Sequence, residues 1–364
     1  MDALTGGASL AEARALLVLD ATPGVGLVTL RALVRAFGSA EAALAAPHGA
    51  FAQIAGAEAA RGRDDRALRA EVDAALARAE RLGMEIRTWA SEGYPRALLA
   101  LHDPPPVLFL RGRSELLERP AATVIGSRRA TERGRNLAAR LAGALARAGM
   151  PVASGLALGV DAAAHRGALD AGGDTIAVLG RGADAPYPSA HRRLFRRILE
   201  RGLLVSEFLP GTPALAHNFP RRNRILAALS CAVVVVEAGE RSGAFITVDH
   251  ALDLGIDVWA VPGPIEHPAC VGSNRLLAEG ARPLLSIRSF VSELTGADPD
   301  APLPVELPPG PARELLAGLG HDTLSVDELA ARAGMPAARA LALLAELELG
   351  GLVKQLPGMR YRAA

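Results

Sequence analysis

The chain has 364 residues, and at roughly 150 residues per domain this length predicts two or three domains. The formal net charge of +1 excludes the globally basic class of histone-like proteins, so a polyanionic partner would have to bind a local basic patch. Lys354 is the only lysine, which excludes a Walker A nucleotide site, a kinase-type phosphate lysine and a Schiff base elsewhere in the chain.

The N-terminal residues are predicted to form a helical domain at 1–84, of helix-hairpin-helix or SAM-like type. They lack the basic stretch followed by an apolar stretch of a secretory leader, so the cytoplasm is the expected location. Residues 19–44 have the pattern of a helix, a glycine turn at Gly24 and Gly26, and a second helix. Such hairpins can donate backbone N–H groups to a DNA phosphate, but they also pack against protein, and we favour the packing role.

Residues 85–295 alternate short β-branched runs with helical segments, a pattern typical of a mainly parallel sheet with helices on both faces. The candidate strands are ATVIG, MPVAS, DTIAVLG, LLVSE, CAVVVVEA and IDVWAVPG. Four of these six segments end in glycine or serine. Because the carboxyl ends of parallel strands lie along one edge of a sheet, we expect the loops that follow to form one rim suited to phosphates.

The first of these loops, in VIGSRRATERG, follows a strand and opens a helix. Gly126 and Ser127 are expected at the turn, and Thr131 is expected to cap the helix. Arg128 would project beside helix N–H groups that already favour an anion, so we predict phosphate binding at this loop. The solvated face of the same helix is expected to carry Arg133 and Arg135.

The second loop, in SGLALGVDAAAH, contains Ser154 and Gly155, which allow a ligand to approach the backbone closely. Asp161 and His165 lie four residues apart on one face of the following helix. They could form an acid/base pair or hold a metal ion. The sequence offers no third metal ligand near them, so a local pair or hydrogen-bonding network is favoured and no metal site is predicted.

Other signatures of catalysis and cofactor binding are missing from the sequence. GRGADA at 180–185 matches the dinucleotide-binding glycine pattern, but Pro186 and Pro188 prevent it from opening a helix, so NAD binding is rejected. Cys231 and Cys270 form no Cys-x-x-Cys pair, and the histidines show no metal-ligand spacing. We therefore expect a protein that is not an enzyme and uses no cofactor.

The stretch HNFPRRNRIL gathers positive charge directly before the buried valine strand. Pro220 predicts the start of a helix, and the first turn of that helix then carries Arg221, Arg222 and Arg224. The helix dipole disfavours cations there unless an anion or a carboxylate is near, and a bound phosphate would remove the conflict. Phe219 could stack on an unpaired base. We also expect at least one of these arginines to pair with a carboxylate at a neighbouring strand end, either Glu207 or Glu237.

Residues 296–311 are rich in proline and aperiodic, which predicts a semi-rigid linker. Beyond it, three helical patterns and a final strand pair around Pro357 and Gly358 predict a winged helix over 312–364. Its presumed recognition helix offers only Arg339 among basic residues, which weakens the hypothesis of a transcription factor that reads base edges.

A set of segments in a fixed order resembles the DNA-processing protein A (DprA/Smf) family. These segments are YPRALLALHDPPPVLFLRG, VIGSRRAT, SGLALGVDAAAH, GGDTIAVLGRGADAPYP, LLVSEF, FPRRNRILAALS, VVEAGERSGAFIT, AVPGPI and GSNRLLAEGA, and they run from about Tyr94 to Leu285. The resemblance implies an extended Rossmann fold that binds single-stranded DNA and forms a homodimer. It further implies a protein that protects incoming DNA during natural transformation and helps to load the RecA recombinase.

The resemblance also implies which residues bind DNA. Family DNA-binding positions fall on Arg128, Phe219, Arg222 and Asn223. Motif positions expected on the same rim are Gly126, Ser127, Ser154, Gly155, Ser242 and Gly243. Two residues depart from the family: many members have a basic residue at the position of Leu158 and a serine at the position of Ala244. Both departures are expected to change affinity rather than the class of activity.

An enzyme is the main alternative, because nucleotide phosphoribohydrolases share this kind of Rossmann fold. Asp249 is the nearest candidate carboxylate. The paired glycines and the glutamate of the P-G-G-x-G-T-x-x-E pattern are absent from the sequence, so the binding protein is favoured.

Overall fold

The computed structural model describes residues 9–296, 310–319, 322–349 and 352–363. The chain divides into two compact units, Met1–Pro299 and Asp300–Ala364. Most of the predicted linker at 296–311 lies outside the described residues.

The N-terminal region is helical, and its helices are α1 (Leu10–Ala21), α2 (Leu27–Phe37), α3 (Ala40–Ala45), α4 (His48–Gly62) and α5 (Arg66–Arg81). Ser9 caps α1 by accepting a hydrogen bond from the N–H of Glu12 at 3.0 Å. Gly24, at φ +83°, makes the turn between α1 and α2, a conformation that favours glycine. The predicted helix, glycine turn and second helix are therefore present.

These helices do not form a hydrophobic core of their own. Leu16, Leu30 and Phe51 belong to the same buried cluster as Phe109 and Leu204, which come from the sheet. The helical region and the sheet therefore share one core, and both lie in the first compact unit.

The large sheet contains β1 (Glu85–Thr88), β2 (Val107–Gly112), β3 (Ala121–Ile125), β4 (Val152–Ser154), β5 (Thr175–Val178), β6 (Leu203–Ser206), β7 (Ser230–Val235), β8 (Asp257–Ala260) and β9 (Arg282–Pro283). Their order is β1-β2-β6-β5-β4-β3-β7-β8-β9. All pairings from β6 to β9 along this order are parallel, whereas β2 is antiparallel to both β1 and β6. The mainly parallel Rossmann-like sheet is confirmed. The sequence pattern predicts β3 to β8 and misses β1, β2 and β9.

Helices cover both faces of this sheet: α6 (Arg96–Leu99), α7 (Glu132–Arg147), α8 (Val160–Asp170), α9 (Arg192–Arg201), α10 (Asn218–Ala228), α11 (Ala244–Asp253), α12 (Val271–Ala278) and α13 (Ile287–Thr295). One face buries side chains of α6, α10, α11 and α12. The other face buries side chains of α7, α8, α9 and α13 together with the N-terminal helices. The carboxyl ends of the parallel strands, between these two layers, remain open for a site.

The second unit is a small winged helix, as predicted. Its elements are α14 (Pro311–Leu319), β10 (Leu324–Ser325), α15 (Val326–Arg332), α16 (Ala337–Leu349), β11 (Val353–Leu356) and β12 (Arg360–Ala363). Ser325 and Glu328 form a capping box that starts α15. Gly358, at φ +84°, makes the turn between β11 and β12, and Lys354 is exposed on β11. Leu315, Leu329, Leu344 and Tyr361 form a core within this unit.

Among the described residues, no helix is both long enough and apolar enough to cross a membrane.

Candidate functional site

A cavity of about 780 Å³ opens at the carboxyl ends of the parallel strands. Its walls come from the loops that follow β3, β4, β5, β6 and β7 and from the N-terminal parts of α10 and α11. Eight of the predicted site residues line it: Gly126, Ser127, Arg128, Phe219, Arg222, Asn223, Ser242 and Gly243. We call this space the rim cavity. The two remaining predicted residues, Ser154 and Gly155, do not line it.

The loop after β3 is held in place by Glu237. A side chain at Gly126 would place its Cβ 2.6 Å from the Glu237 carbonyl oxygen, so only glycine fits there, and the N–H of Ser127 donates to that oxygen at 2.7 Å. The Glu237 carboxylate accepts hydrogen bonds from the N–H and the hydroxyl of Thr131 at 2.8 and 2.6 Å. Thr131 in turn accepts from the N–H of Gly134 at 3.0 Å, which confirms the predicted helix cap.

Because these bonds fix the loop backbone, the side chain of Arg128 is left exposed at the mouth of the rim cavity. Arg129 and Arg241 line the same cavity and are also exposed. None of these three arginines forms an ion pair within the described part of the chain. The rim therefore carries positive charge that is available to an anionic ligand.

Arg222 supplies a further positive charge in the cavity wall. Its side chain is buried, and its Nη1 donates to the carbonyl oxygen of Val178. Its Nε has no hydrogen-bond partner among the described residues. Burial lowers the pKa of Arg222 to about 10, against the opposing effect of the Asp161 carboxylate, so the guanidinium stays protonated at neutral pH. Asp161 and Glu240 also line the cavity, so its four arginines leave a net positive charge against two carboxylates.

Ser154 and Gly155 support this wall from behind. The Ser154 hydroxyl is fully buried and donates to the carbonyl oxygen of Val124 at 2.7 Å. A Cβ on Gly155 would collide with the guanidinium of Arg222, so glycine is required for Arg222 to occupy its position. These two residues are placed to shape the site rather than to face a ligand in it.

Asp161 and His165 do not pair with each other. Asp161 accepts from the backbone N–H groups of Gly155 and Ala157 at 3.1 and 3.4 Å, and burial raises its pKa while Arg222 opposes that rise. His165 is buried, and its Nδ1 lies 2.7 Å from the hydroxyl of Thr175. That hydroxyl donates to the carbonyl oxygen of Val152, so Nδ1 must carry the proton. Burial lowers the pKa of His165 to about 3. Asp161 and His165 therefore belong to separate local hydrogen bonds and do not form the predicted pair.

Two aromatic rings and one guanidinium lie next to one another in the lining of the rim cavity. Phe219 is half-buried, and its ring centroid lies 5.7 Å from that of Tyr187 at an interplanar angle of 35°. The Arg128 guanidinium carbon lies 5.2 Å from the Phe219 centroid. Tyr187 is 45% exposed and lines the cavity, and it is not among the site residues predicted from the sequence. The signal for it is the position of an aromatic residue between Pro186 and Pro188 in a strand-end loop.

α10 begins at Asn218, two residues before Pro220, so Arg222 and Arg224 lie in its second turn and not in the first turn as predicted. Arg221 and Arg224 do not line the rim cavity and are paired with carboxylates. Arg224 binds the buried Glu207 carboxylate through both Nη atoms at 2.7 and 2.9 Å. Arg221 lies 3.0 Å from the same carboxylate, and Arg224 also reaches Asp103 at 2.8 Å. The expectation that at least one arginine pairs with a neighbouring carboxylate is confirmed for Glu207, whereas Glu237 binds Thr131. Of the three arginines, only Arg222 lines the cavity.

Asn223 connects α10 to the loop after β7. Its Nδ2 lies 3.5 Å from the carbonyl oxygen of Gly243, and the Ser242 hydroxyl accepts from the N–H of Ala244 at 3.3 Å. Asp249 lies on α11 and does not line the cavity. The segment at 180–185 does not open a helix, and Asp184 within it pairs with Arg78 of α5 at 2.7 Å. Within the described residues, no group of three or more histidine, cysteine or carboxylate side chains could hold a metal ion.

Comparison with known proteins assigns the family. The sequence profile described as DNA recombination-mediator protein A matches residues 85–295, which is more than half of the chain. The chain belongs to the DNA recombination-mediator protein A family. A second profile, described as the DprA winged helix domain, matches residues 298–359 of this family member. The resemblance inferred from the sequence segments is therefore confirmed.

Individual members of the recombination-mediator family are similar over most of the chain. Protein Smf of Escherichia coli (strain K12) is 41% identical over 286 residues, which cover 75% of this chain and 76% of Smf. The solved structure of DNA processing protein A from Streptococcus pneumoniae superposes with a TM-score of 0.65 at 32% identity, covering 79% of this chain and 98% of that one. DNA processing protein A from Helicobacter pylori, a protein with a single-stranded DNA binding mode, gives a TM-score of 0.52 at 31% identity and covers 55% of this chain and 92% of its own.

Proposed function

We propose that the chain binds single-stranded DNA in the rim cavity and acts as a recombination mediator, without preference for base sequence and without catalysis. The proposal rests mainly on the aromatic and cationic side chains that line the rim cavity together. Phe219 and Tyr187 stand beside Arg128, and the buried Arg222 adds charge to the wall. Family membership and the single-stranded DNA binding of the Helicobacter pylori relative support it.

The preference for a single strand follows from the aromatic rings. A base can stack on Phe219 or Tyr187 only when its face is free, and in a duplex both faces of each base are covered. The arginines would bind phosphates, which carry no base identity. Stacking and phosphate contacts together therefore give affinity without sequence preference.

The proposed cellular role is inferred from membership of the family. The protein would work in the cytoplasm as a homodimer, protect incoming DNA during natural transformation and load the RecA recombinase. Membership of the recombination-mediator family supports these roles. The phosphoribohydrolase alternative gains no support from the site, because Asp249 lies outside the rim cavity and Asp161 is already bonded to two backbone N–H groups.

The direct test compares labelled single-stranded and duplex DNA of the same sequence by fluorescence anisotropy. We expect tighter binding of the single strand, similar affinity for different base sequences, and a log-log salt slope near −0.7 per neutralised phosphate. Arg128→Ala should weaken binding of every sequence, whereas Arg140→Ala, an exposed arginine that does not line the cavity, should leave binding unchanged. Stronger binding to the duplex, or a flat salt response, would refute the proposal.

A further inference from the structure

A second cavity, of about 360 Å³, lies between α8 and α9. Arginine and histidine dominate its lining, which consists of Arg166, Ala190, His191, Arg193, Leu194 and Arg197. No carboxylate is among these residues. Arg197 pairs with the exposed Asp170 at 2.6 Å, while Arg166 and Arg193 are exposed and form no ion pair within the described part of the chain. We call this space the α8/α9 cavity.

The local sequence of α9 adds to this charge. The helix has the sequence RRLFRRILER, and its first turn contains Arg192 and Arg193 but no acidic residue. The positive end of the helix dipole disfavours cations in that turn unless an anion is near. Leu194, Phe195 and Ile198 face the core, so the arginines are held on the outer face by the packing of the helix. The fold therefore maintains like charges that an anion would stabilise.

His191 links the two cavities. Its Nδ1 donates to the carbonyl oxygen of Leu156 at 3.1 Å, next to Ala157, which lines the rim cavity. Tyr187 lines the rim cavity and His191 lines the α8/α9 cavity, four residues further along the same segment. Arg166 lines the same cavity as His191, and burial lowers the pKa of His191 while the hydrogen bond to Leu156 opposes that change. One short stretch of chain thus separates the two spaces.

We propose that the α8/α9 cavity binds backbone phosphates of the same DNA strand after the strand leaves the rim cavity. This inference rests on the proposed function of the rim cavity. The cavity has no phenylalanine, tyrosine or tryptophan in its lining, and the imidazole of His191 is buried, so it would hold the phosphodiester backbone and not the bases. Arg166 and Arg193 are the residues that would bind these phosphates, since guanidinium groups match phosphate oxygens in shape and charge.

The test uses strand length. The double variant Arg166→Ala/Arg193→Ala is compared with the matched double variant Arg140→Ala/Arg147→Ala, which removes two exposed arginines of α7 that line neither cavity. Each protein is titrated with oligothymidylates of about 6 and about 25 nucleotides. We expect the first variant to bind the short strand like the wild type and the long strand about 10-fold more weakly. Its log-log salt slope for the long strand should shrink by about 1.4, or 0.7 for each lost phosphate contact.

The outcomes distinguish a failure of the proposed function from a failure of the inference about the α8/α9 cavity. Wild-type protein that binds neither strand contradicts both the proposed function and this inference. Wild-type binding with unchanged long-strand affinity and salt slope in Arg166→Ala/Arg193→Ala contradicts the α8/α9 cavity alone. An equal loss in Arg140→Ala/Arg147→Ala, or an equal loss for both strand lengths, would assign the effect to net charge and would also contradict it.

Discussion

Phe219 is the residue at which a stacking role and a core role can be separated. It is half-buried and contacts Tyr187 and Arg128, whereas Phe109 is fully buried in the shared core. Removing a core aromatic costs about 3–5 kcal/mol of stability. Removing a base-stacking ring costs about 1–3 kcal/mol of binding.

We therefore expect Phe219→Ala to lose binding and to keep most of its melting temperature. Phe109→Ala should show the opposite behaviour, because its ring lies in the core and does not line the rim cavity. Tyr187→Ala should weaken binding and Tyr187→Phe should not, since stacking needs the ring and not the hydroxyl. Thermal melting and single-strand titration of the same samples measure both effects. A melting temperature of Phe219→Ala as low as that of Phe109→Ala would exclude the stacking role.

His165 gives a pH dependence of stability. Its pKa in the folded protein, about 3, lies below the ordinary value near 6.5, so between these pH values the unfolded chain binds more protons. The contribution of His165 to the free energy of unfolding is therefore fully present above about pH 6.5. Below that pH it falls by about 1.4 kcal/mol per pH unit.

The variant His165→Asn tests this effect, because an asparagine amide can still donate to Thr175 but does not titrate. Urea unfolding between about pH 7 and pH 5 should show a shallower loss of stability for His165→Asn than for the wild type. His48→Asn, at an exposed position, is the control and should follow the wild type. Parallel curves for His165→Asn and the wild type would contradict the assignment.

At the scale of elements, Glu207 joins the end of β6 to the N-terminal part of α10. Its carboxylate is 2% exposed and binds Arg224, which is 4% exposed. Removing one partner of a buried ion pair leaves the other charge unpaired, at a cost of about 3–5 kcal/mol. Arg221 touches the same carboxylate but is 49% exposed, so its contribution is at most about 1 kcal/mol.

We expect Glu207→Gln to lower the stability strongly and Arg221→Ala to lower it little. Chemical denaturation of both variants measures the difference. Neither Glu207 nor Arg221 lines the rim cavity, so both variants should bind single-stranded DNA at temperatures where they are folded. Equal, small losses of stability would show that Asp103 alone holds Arg224 in place.

The sequence predicts those elements whose signal is local. β3 to β8 are short β-branched runs, and the three valines of β7 are fully buried. β9 has only two residues, and β2 follows three prolines and runs antiparallel, so neither has that signal. Amphipathic spacing in α2 indicates that one face of the helix is buried but not what covers that face. The shared core with the sheet could therefore not be foreseen.

The site was predictable to the extent that it depends on strand ends. The rule that ligands bind at the carboxyl edge brings Arg128, Phe219 and Ser242 to one rim, and the structure has them there. The rule does not say in which direction a side chain points. It therefore could not show that Ser154 faces the core. Tyr187, which carries no family motif role, is found only when the loops are folded together.

At the scale of the whole molecule, the rim cavity and the winged helix belong to different compact units. All residues that line the rim cavity lie in Met1–Pro299, and the second unit has a core of its own. A protein that ends after Gly296 should therefore fold and bind single-stranded DNA within a few-fold of the full chain. Circular dichroism and single-strand titration check this. Complete loss of binding in a folded truncated protein would place the principal site in the winged helix.

The single lysine gives the experimenter a selective chemical handle. Lys354 is exposed on β11, in the unit that contributes no residue to the rim cavity. Amine-reactive esters acylate lysine and the α-amino group but leave guanidinium groups unmodified, because arginine stays protonated. Coupling through amines would thus attach a dye or a sensor surface without altering any arginine that is proposed to bind DNA. An arginine-selective dicarbonyl reagent would act in the opposite way, and DNA should protect Arg128 from it.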